Sequence, residues 1–468
     1  MNVTEGGFEN RQLHMEDYLQ MVSAEQREHA EAFDYSRITE KSSVITDFWT
    51  ANLLELIIRK DNLNEAYLRV KKNKGAGGID GMRVDELLPY LRANGEKLVQ
   101  EIRNGCYKPN PVRRVEIPKE TKGEVRKLGV PTVVDRVIQQ AIAQELTSIY
   151  EPLFSENSFG FRPKRGQHDA LRQCQKYVND GYVFVVDMDL EKFFDSVGHS
   201  KLIEVLARTI KDGRVISLIH KYLNAGAMNN GLFEKTEVGM PQGGPLSPLL
   251  SNVMLGELDA ELERRGLRFV RYADDCMIFC KSRKSAQRAM DNITRFIEHK
   301  LFLKVNRSKT VVAHIRDVKF LGYGFRIYRK ECRLRVHPKS AAKFKKRIRE
   351  ITDRNCSMSN LKREKQYRDF VTGWIEYFKL ADMKKLLMTI EPWARHRIRA
   401  VYWSQWKKVK TRYRMLRALK LDEWKVHSLA NSREGIWKAS QFLNTALTNS
   451  ILVRLGYISL VDYYVKVC

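Results

Sequence analysis

Two adjacent aspartates between two short apolar runs constrain this chain more than any other feature. In FVRYADDCMIF, residues 269–279, Asp274 and Asp275 separate two segments with the composition of β-strands, so the pair is predicted to lie at a strand-turn-strand junction. A third aspartate, Asp189, follows a separate apolar run, GYVFVV at residues 181–186. A carboxylate in an apolar setting costs several kcal/mol unless a cation accompanies it. These acids therefore predict a cation site, although an Asp-Asp pair by itself is also common in simple turns.

Magnesium is the cation that such a group of carboxylates favours. It is a hard ion that takes oxygen ligands at about 2.0–2.1 Å and is usually held by one or two carboxylates together with substrate phosphates. Two such ions about 3.5–4 Å apart stabilise both the attacking and the leaving oxygen of a phosphoryl displacement. We therefore expect two Mg²⁺ ions, for which Mn²⁺ can substitute, and phosphoryl-transfer chemistry.

The charge balance predicts a polyanionic partner. The 468-residue chain carries 83 Lys and Arg against 56 Asp and Glu, a net charge of +27, which is far from the balance of an ordinary metabolic enzyme. The excess is concentrated at residues 333–420, which hold 26 basic and seven acidic residues interleaved with Trp and Tyr, whereas residues 1–50 are acidic. We expect residues 333–420 to bind nucleic acid. The alternative is a solvated basic face.

Composition also predicts a globular protein outside the membrane. Hydrophobic residues make up 43% and charged residues 30% of the chain, and its length suggests about three domains. The seven cysteines are irregularly spaced and are expected to be reduced thiols. The N-terminus has no apolar signal segment, and the longest uncharged run, residues 238–256, is interrupted by three prolines. We predict a soluble, cytoplasmic protein with no membrane partner.

Hydrophobic periodicity predicts the elements around these acids. Residues 113–132 alternate in the manner of a basic β-hairpin. In a later glycine-rich segment, Ser247 is expected to be the N-cap and Pro248 the first residue of a helix. Beyond about residue 336 the pattern is helical. Other helices are expected at residues 48–70, 134–150 and 285–301.

Four motifs resemble the reverse-transcriptase blocks of bacterial group II intron-encoded proteins. They are SFGFRPKRG at 158–166, DMDLEKFFD at 187–195, PQGGPLSPLLSN at 241–252 and YADD at 272–275. The resemblance extends into the maturase region of that family through KFLGYGF at 319–325, GWIEYF at 373–378 and LTNSILVRLGYISLVDYY at 447–464. It runs from about residue 50 to the end of the chain, and these motifs in this order are highly specific.

The resemblance implies an α+β fold of the right-hand polymerase type. Fingers and palm would combine an antiparallel sheet with helices, followed by a helical thumb and a small helical C-terminal domain. The implied segments are an acidic N-terminal extension at 1–50, fingers with an N-terminal reverse-transcriptase segment at 51–180, a palm with the catalytic aspartates at 181–335, a thumb or maturase X domain at 336–410 and a DNA-binding-like segment at 411–468.

The implied activity is RNA-directed DNA polymerisation, and the protein would also bind intron RNA to assist splicing and mobility. Its partners would be an RNA template, an intron RNA, a DNA primer or target and deoxynucleoside triphosphates. Many family members append a Cys- and His-rich nuclease domain, whose paired cysteines this sequence lacks, so we expect second-strand cleavage not to be encoded here. Three alternatives stay open: a free-standing reverse transcriptase in defence or repair, a non-catalytic RNA-binding splicing cofactor, and an RNA-directed RNA polymerase.

The resemblance assigns the metal site to the aspartates. Asp189, Asp274 and the backbone carbonyl of Leu190 would ligate the two metal ions, with Asp275 as a supporting catalytic residue. Asp187, two residues before Asp189, would lie outside the catalytic position.

The resemblance also implies the contacts to the incoming nucleotide. Phe194 would lie beneath the sugar, where its ring would exclude a 2′-hydroxyl, unless it is simply a core phenylalanine. Gln242 and Gly243 would approach the nucleotide, unless the glycine only shapes a turn. Lys119 and Arg126, on opposite arms of the basic hairpin, would hold the triphosphate, with plain surface charge as the alternative.

The last implied residues contact nucleic acid. One set would line the template path and the other would share one face of the first thumb helix: Arg162, Lys164 and Arg165, and Lys343, Lys346 and Arg347. For the template-path set, solvent-facing charge is the alternative. Trp374, Tyr377 and Phe378 recur at helical spacing and are assigned to packing within the thumb.

Overall fold

The computed structural model describes residues 51–118, 125–229 and 231–468. The predicted extension at 1–50 and Lys119 lie outside the described residues. The chain forms two compact units, of which the first contains the described part of Met1–Arg113 together with Pro131–Glu145 and Ile203–Lys235, and the second contains the remainder. The predicted α+β class is confirmed, because helices and mainly antiparallel sheets alternate along the chain. The five-segment domain division stays a prediction.

The helices in chain order are α1 (Leu53–Ile57), α2 (Lys60–Asn73), α3 (Leu87–Arg103), α4 (Val133–Tyr150), α5 (Gln167–Asn179), α6 (Phe193–Ser196), α7 (His199–Thr209), α8 (Gly213–Leu223), α9 (Ser247–Arg264), α10 (Arg283–Lys300), α11 (Pro338–Ile351), α12 (Asn360–Phe378), α13 (Lys384–Gln405), α14 (Val409–Ala418), α15 (Glu423–Ala430), α16 (Ile436–Phe442), α17 (Asn449–Arg454) and α18 (Leu460–Val467). The strands are β1 (Val112–Pro118), β2 (Val125–Val130), β3 (Phe184–Met188), β4 (Ala227–Asn229), β5 (Leu232–Glu234), β6 (Arg268–Tyr272), β7 (Asp275–Cys280), β8 (Val311–His314), β9 (Lys319–Phe320), β10 (Tyr323–Tyr328) and β11 (Glu331–Val336).

The first unit begins with two helices where the periodicity predicted one. α1 and α2 lie on either side of Arg59, whose ψ of 140° an α-helix cannot contain. The buried Asn62 side chain donates to the carbonyl oxygens of Ile57 (2.8 Å) and Ala141 (3.1 Å), so it satisfies the end of α1. The prediction of one continuous helix at residues 48–70 is therefore wrong, because apolar spacing does not reveal a single extended residue between two helices.

A four-stranded antiparallel sheet, in the order β6–β7–β3–β8, forms the centre of the second unit. β3 is the buried strand expected before Asp189, and Val185 and Val186 within it are fully buried. The helices α5 and α10 pack on this sheet. The helices predicted at 134–150 and 285–301 are confirmed as α4 and α10, with ends that differ by no more than two residues.

The basic hairpin and the start of α9 also bear on the predictions. β1 and β2 are neighbouring strands, as expected for residues 113–132. The predicted N-cap of α9 is wrong by one residue, since Leu246 is the N-cap and Ser247 and Pro248 are the first two helical residues. The Ser247 hydroxyl instead donates to the Pro241 carbonyl oxygen (2.7 Å), which closes the loop before the helix.

The C-terminal helices share one apolar core with a face of the central sheet. The buried side chains of Phe344, Tyr367 and Ile398 belong to the same cluster as Val270 and Phe279 of the sheet. This continuity holds the aspartate hairpin and the basic C-terminal helices within one unit. None of the helices in the described part of the chain combines the length and the apolar surface that a bilayer span requires.

Candidate active site

The adjacent aspartates lie in a tight β-hairpin. Tyr272, the last residue of β6, pairs with Asp275, the first residue of β7, so Ala273 and Asp274 form the turn. Ala273 has a φ of 58°, the left-handed conformation that two-residue hairpin turns use. The strands on both sides are buried, which makes the turn a defined end of the sheet.

Asp189 lies at the same end of the sheet. β3 runs antiparallel to β7 with Met188 opposite Cys276, and continuing this register by one residue places Asp189 opposite Asp275. Asp187 lies two residues earlier on β3, and alternate residues of a strand point to the same face of a sheet. The register therefore brings three carboxylates to one face beside the hairpin turn.

Burial and neighbouring carboxylates raise the pKa of Asp187, Asp274 and Asp275. Burial raises the pKa of Asp275 to about 7, with further contributions from Asp274, Asp187 and Asp189. Burial also raises the pKa of Asp187 to about 6, with a contribution from Asp189. It raises the pKa of Asp274 as well, and Asp189 adds to that shift. Coupling of this kind requires short separations, so the electrostatics agree with the strand register.

Nearby basic groups offset part of this charge. Lys309 Nζ lies 3.9 Å from Asp189 Oδ2, and Arg126 partly counteracts the burial that raises the pKa of Asp274. Carboxylate oxygens suit Mg²⁺, which is commonly held by one or two of them plus substrate phosphates. The described His, Cys, Asp and Glu side chains form no ready-made group of three or more metal ligands. The crowded carboxylates, of which Asp187, Asp189 and Asp274 are partly buried and Asp275 is exposed, nevertheless fit a divalent cation whose shell a substrate completes.

A loop that the sequence reasoning missed holds the backbone after β3. The Asn306 N–H donates to the Asp189 carbonyl oxygen (2.8 Å), and the Asp189 N–H donates to Thr310 Oγ1 (3.2 Å). The next residue, Leu190, pairs with Val305 in an isolated antiparallel β-bridge. The Leu190 carbonyl takes no part in these hydrogen bonds, and it stays a predicted metal ligand.

A buried ion pair supports the hairpin from inside the protein. The Arg271 and Asp259 side chains are 0% and 2% exposed and lie 2.6 Å apart. Arg271 also donates to Asn252 Oδ1 (2.9 Å) and to the carbonyl oxygen of Ala273 (2.9 Å), the left-handed residue of the turn. Breaking a buried pair of this kind costs about 3–5 kcal/mol. Arg271 therefore fixes the conformation from which Asp274 extends.

Gly160 lies where no side chain fits. A Cβ at this position would be 2.2 Å from the Ala273 nitrogen. The segment is tied to the hairpin because the Phe159 N–H donates to the Arg271 carbonyl oxygen (2.9 Å) and Asn252 Nδ2 donates to the Gly160 carbonyl oxygen (2.9 Å). The glycine of the SFGF motif thus allows two backbone segments to touch behind the aspartates.

Replacing Gly160 by alanine should therefore destabilise the protein. We expect the free energy of unfolding to fall by about 1–3 kcal/mol, because the added methyl group overlaps backbone that cannot rotate away. Urea unfolding followed by circular dichroism measures the change. Gly166→Ala is the control within the same motif, since the nearest atom to its new Cβ is 3.9 Å away. Equal midpoints for the two variants would contradict the contact.

The FRPKRG segment corrects one predicted contact. The Arg162 side chain is 2% exposed, pairs with Glu151 at 2.8 Å and donates to three backbone carbonyls nearby. Its guanidinium is engaged inside the protein, so the geometry gives Arg162 a structural role in place of the expected template contact. Arg165 pairs with Glu156 at 2.5 Å, and Lys164 is exposed. These two residues stay predicted template contacts.

The Pro-Gln-Gly loop lies against β2 of the basic hairpin. The Gly129 N–H donates to the Gln242 carbonyl oxygen (2.7 Å). Gly243 has a φ of 122°, and a Cβ there would lie 2.8 Å from the Gly129 carbonyl oxygen, so the approach requires glycine. Arg126, on the same strand, acts on Asp274 as described above. The loop, β2 and the aspartates therefore meet at one place.

Two protein-family models match this chain. The model described as "Reverse transcriptase (RNA-dependent DNA polymerase)" matches residues 117–325, and the one described as "Group II intron, maturase-specific domain" matches residues 341–419. Protein YkfC of Escherichia coli (strain K12) is 34% identical over 321 residues, which cover 60% of this chain and 84% of YkfC. This chain belongs to the group II intron-encoded reverse transcriptase and maturase family.

The match to this chain covers a smaller share of the length of two other relatives. The group II intron-encoded protein LtrA of Lactococcus lactis subsp. cremoris is 31% identical over 358 residues, which cover 63% of this chain and 59% of LtrA. The putative COX1/OXI3 intron 2 protein of Saccharomyces cerevisiae is 30% identical over 356 residues, covering 63% of this chain and 41% of that protein. A solved structure titled "Partial Cas6-RT-Cas1--Cas2 complex" overlaps 53% of this chain and 43% of its own at 25% identity, with a TM-score of 0.35 that carries no functional conclusion.

The two phenylalanines that begin α6, within the reverse-transcriptase region, differ in burial. Phe193 is 2% exposed, whereas Phe194 is half-buried, and their rings meet edge-on with centroids 5.3 Å apart. The Met240 N–H donates to the Phe194 carbonyl oxygen (2.6 Å), which ties α6 to the segment leading into the Pro-Gln-Gly loop. Phe193 therefore takes the core position, and the partial exposure of Phe194 is compatible with the predicted sugar contact.

The first helix of the maturase region, α11, has two faces. Phe344 and Ile348 are fully buried, whereas the basic residues that the sequence assigned to nucleic acid are exposed. Arg347 pairs with Glu350 at 2.8 Å, which leaves its side chain half exposed. These residues stay predicted backbone-phosphate contacts: Lys343, Lys346 and Arg347.

The aromatic stripe of α12 packs as predicted. Trp374 stacks on Phe344 with ring centroids 4.1 Å apart, and Phe378 is 5% exposed. Tyr377 is partly exposed, and its hydroxyl donates to the Leu321 carbonyl oxygen (3.0 Å). The stripe therefore joins α11 and α12 to the turn between β9 and β10.

Proposed function

We propose that this protein is an RNA-directed DNA polymerase that extends a primer on an RNA template by metal-dependent nucleotidyl transfer. The observation that carries the proposal is the meeting of the aspartates, the Pro-Gln-Gly loop and strand β2 of the basic hairpin at one end of the central sheet. The match of residues 117–325 to the reverse-transcriptase family supports it.

The chain's own residues divide the work at the metal site. Asp189 and Asp274, with the Leu190 carbonyl, would hold two Mg²⁺ ions, for which Mn²⁺ can substitute. The chemistry supplied by the bound ions is activation of the primer 3′-hydroxyl and stabilisation of charge on the leaving pyrophosphate. Asp275 lies beside them with a pKa that burial raises to about 7, so a bound cation would favour its ionised form at neutral pH. The loop that carries Thr310 keeps the Asp189 backbone in place.

The nucleotide would lie between the hairpin strand β2 and α6. Arg126, together with Lys119, would neutralise the triphosphate as charge builds up on it. Gln242 and Gly243 would present backbone to the new base pair. The ring of Phe194 would occupy the space that a ribose 2′-hydroxyl needs, so that deoxynucleoside triphosphates are the preferred substrates.

Primer extension by the purified protein tests this function. With an RNA template, a DNA primer, Mg²⁺ and deoxynucleoside triphosphates, we expect a DNA product that is not formed when ribonucleoside triphosphates are supplied instead. The same product from ribonucleotides at an equal rate would favour an RNA-directed RNA polymerase. A folded protein that makes no product from either set would favour the non-catalytic splicing cofactor.

A second function, intron binding that assists splicing and mobility, is supported by the match of residues 341–419 to the maturase-specific domain. The same region carries most of the excess positive charge, and its exposed basic residues would contact RNA and a DNA target through their phosphates. We place such a protein in the cytoplasm with its nucleic acids. Sequencing the RNA that co-purifies from the host tests this: a structured intron that contains this reading frame is expected, and its absence would favour a free-standing polymerase.

The response to Mg²⁺ should depend on pH. Asp187 and Asp275 have folded-state pKa values of about 6 and about 7, above the ordinary value of 3.8. Their contribution to stability is thus present below about pH 4 and lost as the pH rises through about 6 to 7. A cation bound to the ionised carboxylates removes that penalty. We therefore expect Mg²⁺ to raise Tm more at about pH 8 than at about pH 6, by about 2 °C or more.

Differential scanning fluorimetry at constant ionic strength measures this difference. The Asp275→Asn variant should show a smaller pH dependence, because its amide does not titrate. An equal effect of Mg²⁺ at both pH values in the unmodified protein would contradict binding at these carboxylates.

A further inference from the structure

A cavity of about 790 Å³ lies among the C-terminal helices, apart from the aspartates. Its volume is in the range of about 300–1,000 Å³ that small-molecule sites occupy. The helix α13 contributes Glu391, Arg395, His396 and Arg399 to its wall, and the segment around α16 contributes Ser440 and Asn444. The polymerase and splicing proposals assign no role to this cavity.

The charge of Arg399 is the unexplained feature of the cavity. Its residue is 7% exposed, and its guanidinium donates to the carbonyl oxygen of Leu447 (2.8 Å) and to Asn449 Oδ1 (2.7 Å), both uncharged. Across the described ranges no carboxylate lies within ion-pair distance of Arg399, and its Nη1 makes no hydrogen bond. A buried guanidinium remains charged at neutral pH, and a buried charge without a partner is costly.

The neighbouring Arg395, in contrast, has a carboxylate partner. It pairs with Glu391 through Nε (2.8 Å) and also through Nη2. The other carboxylate oxygen of Glu391 accepts the Val461 N–H (3.1 Å), so Glu391 is committed. Burial and the like charge of Arg395 lower the pKa of Arg399. The wall of the cavity thus carries one positive charge more than its own acids neutralise.

An exposed tryptophan ring lies against His396 of the cavity wall. The His396 ring lies 3.8 Å from the Trp437 ring, centroid to centroid, and His396 Nε2 is within hydrogen-bonding distance of Ser440 Oγ (2.8 Å) and the Trp437 carbonyl oxygen (2.9 Å). These bonds fix the imidazole, and 44% of Trp437 remains exposed. His396 lines the cavity together with Arg399, so the exposed Trp437 ring lies against a residue of the cavity wall, where a base could stack while an arginine binds its phosphate.

We propose that this cavity binds one nucleotide of a single-stranded nucleic acid, with Arg399 donating to a phosphate oxygen and the base lying against Trp437. A polymer is favoured over a free nucleotide because residues 333–420 carry 26 basic and seven acidic residues, which would attract the flanking phosphates. This proposal rests on the proposed function for the kind of polymer that is bound. It does not depend on the polymerisation chemistry.

Two substitutions of the exposed rim residue Asn444 test the site without disturbing the core. Asn444→Glu adds a negative charge to the lining of the cavity, where it would repel a bound phosphate, and Asn444→Gln has the same size without the charge. Fluorescence anisotropy with a short, unstructured, labelled single-stranded RNA measures binding. We expect Asn444→Glu to bind about tenfold more weakly and Asn444→Gln within about twofold of the unmodified protein.

Arg399→Gln supplies the direct test, with Arg288→Gln as the control at an exposed arginine of α10, outside both the cavity and the maturase region. We expect Arg399→Gln to weaken binding at least about tenfold and to lower the salt slope by about 0.7, the value for one phosphate on a single strand. If Arg399→Gln does not fold, the Asn444 pair still decides, because both of its members change an exposed side chain. Equal RNA binding by Asn444→Glu and Asn444→Gln would overturn the proposal.

Inorganic phosphate and adenosine monophosphate separate the possible sources of the anion. If they raise Tm of Asn444→Gln but not of Asn444→Glu, while RNA binds both variants equally, the cavity binds a free anion and the polymer assignment is wrong. Primer extension by the unmodified protein keeps the two proposals distinct. If the unmodified protein extends primers but the two Asn444 variants bind RNA equally, only the cavity proposal is refuted. If the two variants bind RNA differently but the unmodified protein extends no primer, only the polymerase proposal is refuted.

Discussion

Changing Asp274 to asparagine should reduce primer extension on an RNA template by at least about a thousandfold. Asp274 lies in the hairpin turn beside Asp189, where an amide cannot supply the negative charge that metal binding requires. Single-turnover extension with Mg²⁺ and deoxynucleoside triphosphates measures the loss. Asp317→Asn makes the same chemical change at an exposed position outside the carboxylate group, and we expect it to stay within about twofold of the unmodified rate.

The fold should survive this change. Burial chiefly raises the pKa of Asp274, and Asp189 adds to the shift, so a neutral side chain removes repulsion from the site. The metal-free Asp274→Asn protein should therefore melt at the same temperature as the unmodified protein or higher. A folded variant that extends primers at the unmodified rate would exclude Asp274 from the metal site. A lower Tm would contradict the electrostatic account of the carboxylates.

Changing Phe194 to alanine should relax the choice of sugar. Phe194 is half-buried beside the fully buried Phe193, so removing its ring opens space at the surface of the site and leaves the core in place. We expect the preference for a deoxynucleotide over the matching ribonucleotide to fall roughly 10- to 200-fold, the range that one misfitting group contributes in a shaped pocket. Single-nucleotide insertion, compared as kcat/KM for dCTP and CTP, measures it.

Phe194→Tyr is the control, because it keeps the ring and should keep the preference. Two results would count against the steric argument. The unmodified protein could use both sugars equally, or Phe194→Ala could retain the full preference. Either result would leave the aspartate site intact and would move sugar selection to another residue.

The features that could be predicted from the sequence are determined by residues that lie close together along the chain. Apolar runs around Asp274 and before Asp189 indicated strands that end in acids, and both ends meet in the central sheet. Helical periodicity located α10 to within two residues. The polar run NRSKT at 306–310 was the available signal for the loop that holds Asp189, but a polar run between elements is ordinary in any surface loop.

The predictions that were wrong concern residues whose role is decided by a specific contact or by a backbone angle. Ser247 looks like an N-cap, yet its hydroxyl bonds to the Pro241 carbonyl oxygen. Arg162 belongs to a basic run that resembles a nucleic-acid contact, yet its guanidinium is buried against Glu151. Periodicity continues across Arg59 although the helix does not. In each case the residue type fits the sequence pattern, and the contact or backbone angle that decides its role is not visible in that pattern.

By itself the sequence determined the family, the order of the elements and the chemistry of the carboxylates, because these depend on residue type and on spacing along the chain. Only the tertiary structure decided which charges are buried and what faces them. Arg271 is paired with Asp259, whereas Arg399 lines a cavity and has no carboxylate of the described residues within ion-pair distance. The reason is that the cost of burying a charge depends on neighbours brought in by folding, and such neighbours are usually far away in sequence.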